Sequence, residues 1–288
     1  DNRPAAYSAD NVPYKAEKWL EISLKGIEEG DFGMIMGFPG STDRYMTSYE
    51  IDYMLEVDNP QRIYIRGERQ AILRSFMDAD QAIRIQYDAK FARSANYWKN
   101  SIGMSRGIER LNVKAKKQAQ EAEFQAWAEA HTLPEERYID ALSLIAESQS
   151  EARTENATLQ YLSEAFLQSV ELLEPLFSQG DIEQFYKDFN ADVDRAVAKR
   201  MFVIYKENNT LLPSIYTKID EEFGGNSDAY VDWLYDNSQF TSLDKFKTVE
   251  RLDKEARAKA FTEDPATELA ESIIALYRTL VPKAMAAN

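Results

Sequence analysis

The sequence has no cysteine and one histidine, His131. The first absence removes disulfides, thiolate metal sites and a cysteine nucleophile together, and fixes no redox compartment. The second leaves one imidazole for any hydrolytic triad. It lies in AHTLPEE, where a helical pattern ends just before Pro134. A histidine there suits the negative end of a helix dipole. A Ser-His-Asp arrangement needs an activated serine as well, and no Gly-Asn-Ser-Gly-type motif is present. Positive charge is also short: 34 Lys and Arg stand against 49 Asp and Glu, a formal net charge of −15. That balance disfavours nucleic acid and anionic membrane surfaces as partners. No apolar run approaches the roughly 18–20 residues that would insert in a membrane. The first residues, DNRPAAYSADNVPYK, carry no apolar h-region of an export signal. In a chain that begins inside a longer protein, that says nothing about export.

What is present supports a folded core. The 288 residues are 44% hydrophobic and 12% aromatic, enough for one large or two ordinary domains. Trp19–Leu24 alternates, with Leu20, Ile22 and Leu24 on one side, and reads as a half-buried strand. Phe32–Phe38, FGMIMGF, reads as a second strand ended by Pro39-Gly40. Together they predict one N-terminal β-hairpin. No third strand follows, and a lone hairpin is marginal in water, so its partners would be strands outside this sequence.

From about Ser48 the period becomes helical. Asn59-Pro60 predicts a helix start that runs through Met77. Asp78 or Asp80 then caps a helix with the stripe Ile83, Tyr87, Phe91, Ala95, Trp98 and Ile102. Its pattern continues through Lys114–Ala130, with a bend predicted near Gly103 and Gly107. Further helices are predicted over Glu135–Ser150, Glu155–Phe177, Asp181–Lys206, Pro213–Phe223, Ser227–Asp236 and Pro265–Met285. The fold class expected is therefore mainly α: an irregular multi-helix domain with a short N-terminal hairpin.

Few residues suggest chemistry. GFPG at Gly37–Gly40 lacks the spacing and the Lys-Ser/Thr of a phosphate loop. Asp188–Asp194, DFNADVD, starts like a calcium loop, but Val193 replaces the turning glycine and Lys199 the closing glutamate. It reads as a solvated acidic face of continuous helix. Lys114–Lys117 reads as i,i+4 pairing with Glu121 and Glu123. Asn96 lies opposite the Tyr87–Phe91–Trp98 stripe on a helical wheel, on a face with Ala89, Ala92 and Gly103. Read alone, it is a surface or packing residue; Trp98, on the apolar stripe, is core.

Two motifs change the weighing: Gly30–Tyr45, GDFGMIMGFPGSTDRY, and Ser94–Lys99, SANYWK. Together they resemble the bacterial dipeptidyl-peptidase 7 and 11 group, serine peptidase family 46. That resemblance implies a chymotrypsin-like double barrel with an inserted helical domain. Residues 1–44 would be the last hairpin of the first barrel. Residues 45–288 would be most of the helical insert, truncated at its C-terminal end. It implies catalytic Asp and His before this sequence and Ser after it, so that the chain alone is inactive. It implies that Asn96 binds the free α-amino group of a peptide substrate. It also implies no cofactor, a homodimer, and a periplasmic or extracellular location. The competing expectation is a free-standing acidic helical binding or scaffold protein.

Overall fold

The computed structural model describes residues 8–34, 37, 42–131, 133, 136–177 and 180–287. Backbone proximity divides the chain into two units, Asp1–Arg44 and Tyr45–Asn288. In the first unit the backbone makes local turns, with Asp31 N–H bonded to Glu28 C=O at 3.2 Å and Asn11 N–H to Ser8 C=O at 3.1 Å. The expected hairpin does not form among the described residues. Leu20, Ile22 and Leu24, the apolar side of its first strand, are exposed. The physical reason is that a two-stranded ribbon with no covering layer has nowhere to bury that side. The remainder of the second strand and its turn, Ile35, Met36 and Phe38–Gly40, lie outside the described residues.

Among the described residues the second unit is built of helices and the loops between them, with no strand, as expected. A capping box opens it: Thr47 and Glu50 exchange side-chain-to-backbone bonds at the start of α1 (Ser48–Tyr53). A wide π-type turn at Met54–Asp58 joins α1 to α2 (Asn59–Ala79) without a break. Asn59 is therefore not the helix start its pairing with Pro60 suggested. It is buried within the helix, and its side chain donates to Ser105 Oγ at 3.0 Å. The wide turn accommodates Pro60, which has no N–H to give to an ordinary α ladder.

One extended residue, Asp80, separates α2 from α3 (Gln81–Arg110) and caps α3 by accepting from Ala82 N–H at 2.7 Å. The two helices run antiparallel, since Asn59 meets Ser105, Arg62 meets Ser101, Ile63 meets Trp98 and Arg74 meets Phe91. The bend after α3 falls at Leu111–Asn112, where Asn112 has φ 49°, and not at Gly103 or Gly107. Asparagine tolerates that left-handed conformation better than most residues. Then follow α4 (Val113–His131), α5 (Ala141–Glu151) and α6 (Arg153–Leu162), and a second π-type turn at Ser163–Leu167.

Short α7 (Glu174–Phe177) and α8 (Ile182–Lys187) lead into α9 (Ala191–Asn208). Asn190 caps α9 through Asp192 and Val193 N–H, so the predicted continuous helix breaks inside DFNADVD. Helix α10 (Ile215–Glu222) ends at Gly224-Gly225, both at positive φ, and Asn226 caps α11 (Ser227–Asn237). Two further helices, α12 (Leu243–Glu250) and α13 (Lys254–Thr262), precede α14 (Pro265–Ala287). The core gathers the apolar faces of α2, α6, α9, α11 and α14. Its centre is aromatic, with Phe166 edge-on to Phe202 at 5.1 Å and Phe202 against Tyr230 at 5.5 Å.

Candidate functional site

Asn96 is in the middle of α3, on the side turned away from α2. It is exposed, as are Ala89, Ala92 and Gly103 on the same face. The helical-wheel expectation is met at each of these positions. Its neighbours on both sides are fixed. Ser94 and Ala95 are buried. The Tyr97 ring lies over the Arg66 guanidinium at 5.0 Å. Trp98 Nε1 donates to Ile63 C=O at 3.0 Å, and a Cβ added at Gly67 would stand 3.4 Å from that nitrogen. Trp98 is thus half-buried and hydrogen-bonded to the backbone of α2, rather than a wholly enclosed core ring.

Arg66 is itself held from behind. Its Nε and Nη2 donate to the two oxygens of Glu164 at 2.7 and 3.1 Å, and Arg62 Nε adds a third bond at 3.3 Å. Glu164 is buried and sits in the second π-type turn. A bidentate guanidinium–carboxylate pair fixes orientation as well as distance. Within SANYWK, Asn96 is thus an uncharged polar side chain left exposed beside two residues, Tyr97 and Trp98, that are held against α2. Among the described residues the Asn96 amide has no partner. An amide oxygen can accept from an ammonium group without bringing charge of its own.

The sequence reading missed a second polar cluster, which ties α3 to the rest of the helical unit. Glu171 is buried and takes Lys90 Nζ at 2.6 Å, Tyr87 Oη at 3.3 Å and Arg69 Nη2 at 3.5 Å. Beside it, Asp194 accepts from Glu171 and Leu172 N–H, both at 2.8 Å, and from Tyr235 Oη at 2.6 Å. Burial, then the Glu171 charge, push the Asp194 carboxyl up to about 7, while the three donors work against them. Asp194 is 2% exposed. This corrects the solvated acidic face expected of DFNADVD. A signal was present: Asp194 shares its helix face with Ala198, Met201 and Tyr205, all fully buried.

The other expectations resolve simply. His131 ends α4, is exposed, and bonds through Nδ1 to Trp127 C=O at 3.0 Å. Lys114 pairs with Asp52 at 2.7 Å, and Glu121 is used by the Ser48 hydroxyl and N–H, so these two do not pair with each other. Both choose partners on α1 because it packs against α4. Among the described residues no group of His, Asp and Glu is arranged to hold a metal ion, and no helix is long and apolar enough to cross a membrane.

The family model for peptidase S46 matches residues 1–176 and 176–287. The chain belongs to the peptidase S46 family. It is 39% identical to dipeptidyl-peptidase 7 of Porphyromonas gingivalis over 99% of this chain and 43% of that protein. It is 31% identical to the Asp/Glu-specific dipeptidyl-peptidase of the same species, over 97% of this chain and 42% of that protein. The solved structure of Porphyromonas endodontalis DPP11 in complex with the dipeptide Arg-Asp superposes with a TM-score of 0.76 at 28% identity, over 99% of this chain and 43% of that one. This S46 chain therefore spans less than half the length of these relatives.

Proposed function

We propose that this chain is the helical part of a serine exopeptidase that releases dipeptides from the free N-terminus of peptides. Residues 1–44 belong to its catalytic barrel, and residues 45–288 form a helical insert that caps the cleft. The observation that carries this reading is Asn96: an exposed, unpartnered amide on a face of small residues, with Tyr97 and Trp98 held against α2. Its role is to accept a hydrogen bond from the substrate α-ammonium, so that only two residues reach past it to the barrel. Family membership and relatives named for dipeptide release support the substrate class. The same reading makes the chain inactive without the barrel's Ser, His and Asp. It also places the parent enzyme, as a homodimer, in the periplasm or outside the cell.

The test is Asn96→Ala in the full-length enzyme. Losing one charge-assisted bond of about 1.5–3 kcal/mol lowers kcat/KM about 10–150-fold. The loss appears with free-amine substrates and shrinks with N-acylated ones, which lack that bond already. Unchanged kcat/KM in a well-folded variant would return Asn96 to the surface.

A further inference from the structure

The face of α3 that carries Asn96 is basic, in a chain whose formal net charge is −15. Helix α3 holds six basic residues and two acidic ones. Arg84 and Lys90 are engaged, with Asp78 and Glu171. Arg93, Lys99, Arg106 and Arg110 are exposed and have no ion-pair partner among the described residues. Cations elsewhere readily find carboxylates in so acidic a chain: Arg195, Arg200 and Lys218 each hold one. On a helical wheel Arg93 and Lys99 lie about 60° to either side of Asn96, and Arg110 and Arg106 within about 80°. The acidic residue on this strip is Asp88; Glu109 points to the other side. Ala89, Ala92 and Gly103 leave the strip uncrowded, and a Cβ added at Gly103 would meet nothing within 4 Å.

We propose that this strip docks peptides carrying carboxylates at their third to sixth residues, beyond the two that reach the barrel. The proposal rests on the role given to Asn96 above. A substrate ammonium placed at Asn96 is repelled by the flanking cations, which offsets part of the hydrogen bond to the amide. Carboxylates further along the peptide offset that repulsion. From Asn96 to Arg106 is about 15 Å along the helix, a length that the four residues after the first two can span when extended. The rest of the acidic surface repels the same peptides, which directs them to this face.

The experiment uses this 288-residue chain and two free-amine hexapeptides labelled at the C-terminus. One has four Asp or Glu residues after its first two positions; the other has Asn and Gln there. Binding is read by fluorescence anisotropy at about 0.02 M and about 0.3 M salt. The acidic peptide is expected to bind about five- to tenfold more tightly at low salt, from three screened surface charges, with the gap closing at high salt. A chain carrying Arg93→Gln, Lys99→Gln and Arg106→Gln, with an unchanged thermal melt, loses the gap. Equal binding of the two peptides, no binding of either, or a preference that survives the triple variant overturns the proposal. Asn96→Ala and N-acetylation separate the two readings. Both weaken the two peptides alike if Asn96 grips the amine. If they change nothing while the acidic preference persists, the amine reading falls and the docking strip stands.

Discussion

Replacing Asp194 by alanine removes the acceptor at the centre of the buried cluster. Three donors lose their partner: the N–H groups of Glu171 and Leu172 and the hydroxyl of Tyr235. Each buried donor left unsatisfied costs about 1–3 kcal/mol. Relief of a buried carboxyl beside Glu171 offsets part of this, so the net loss expected at pH 5 is about 3–5 kcal/mol. The assay is urea unfolding followed by circular dichroism at 222 nm. Asp192→Ala is the control, because Asp192 is exposed two residues away in the same first turn of α9; it should cost about 0.5 kcal/mol through the helix dipole. The pH dependence has a definite sign. The folded carboxyl titrates about 7 and the free one near 3.8. Between those values the folded chain holds a proton that the unfolded chain has lost, so this contribution declines as pH rises. It is complete below about 3.8 and gone above about 7. The gap between wild type and Asp194→Ala is therefore widest below about pH 4, is already smaller at pH 5, and narrows further toward pH 7. Equal urea midpoints for Asp194→Ala and Asp192→Ala at pH 5 would refute the reasoning, as would a gap that widens with pH.

Glu164→Gln leaves Arg66 and Arg62 facing a neutral amide at a buried position, and should lower stability by about 3 kcal/mol in the same urea assay; an unchanged midpoint would show that solvent replaces the carboxylate freely. Gly225→Ala forces a side chain onto a residue at φ 80°, with Asp220 Oδ1 3.4 Å from the new Cβ, and should cost about 1 kcal/mol. Gly103→Ala, in open helix at ordinary φ, should instead raise the thermal midpoint slightly, by about 0.5–1 kcal/mol of helix preference. Trp98→Ala removes a half-buried ring and its bond to Ile63 C=O, and should cost about 2–3 kcal/mol, which thermal melts distinguish from the unaffected fold of Asn96→Ala.

Long apolar stripes were legible before any coordinates. The pairing face of α3, the cap at Asp80 and the stop at Gly224-Gly225 all follow from local chemistry. The exposed setting of Asn96 followed from the same wheel that buried Tyr87. Helices α12 and α13 escaped because LDKFKTVE and KEARAKAFT are rich in charge and carry weak stripes. Their caps, Ser242 and Asp253, were the available signal. Asn59 misled because a start signature inside a continuous helix is rescued by a π-type turn, which needs no sequence mark of its own. Asp194 was misjudged by its acidic neighbours, although its helix face is otherwise buried. The hairpin failed for another reason: alternation records which side of a strand wants cover, not whether the cover is there.

The single-residue joint at Asp80 constrains how this region can change over time. Fifteen residues lie between Asp80 and Asn96, all of them within α3. One residue gained or lost between them would turn Asn96 by about 100° and slide it about 1.5 Å. Tyr97 and Trp98 would leave Arg66 and Ile63 in the same step. A joint one residue long has no slack to absorb the error, and only a change of about seven residues, two full turns, would restore the face. Divergence along this stretch is thus confined to substitution, and the distance from cap to asparagine works as a fixed ruler.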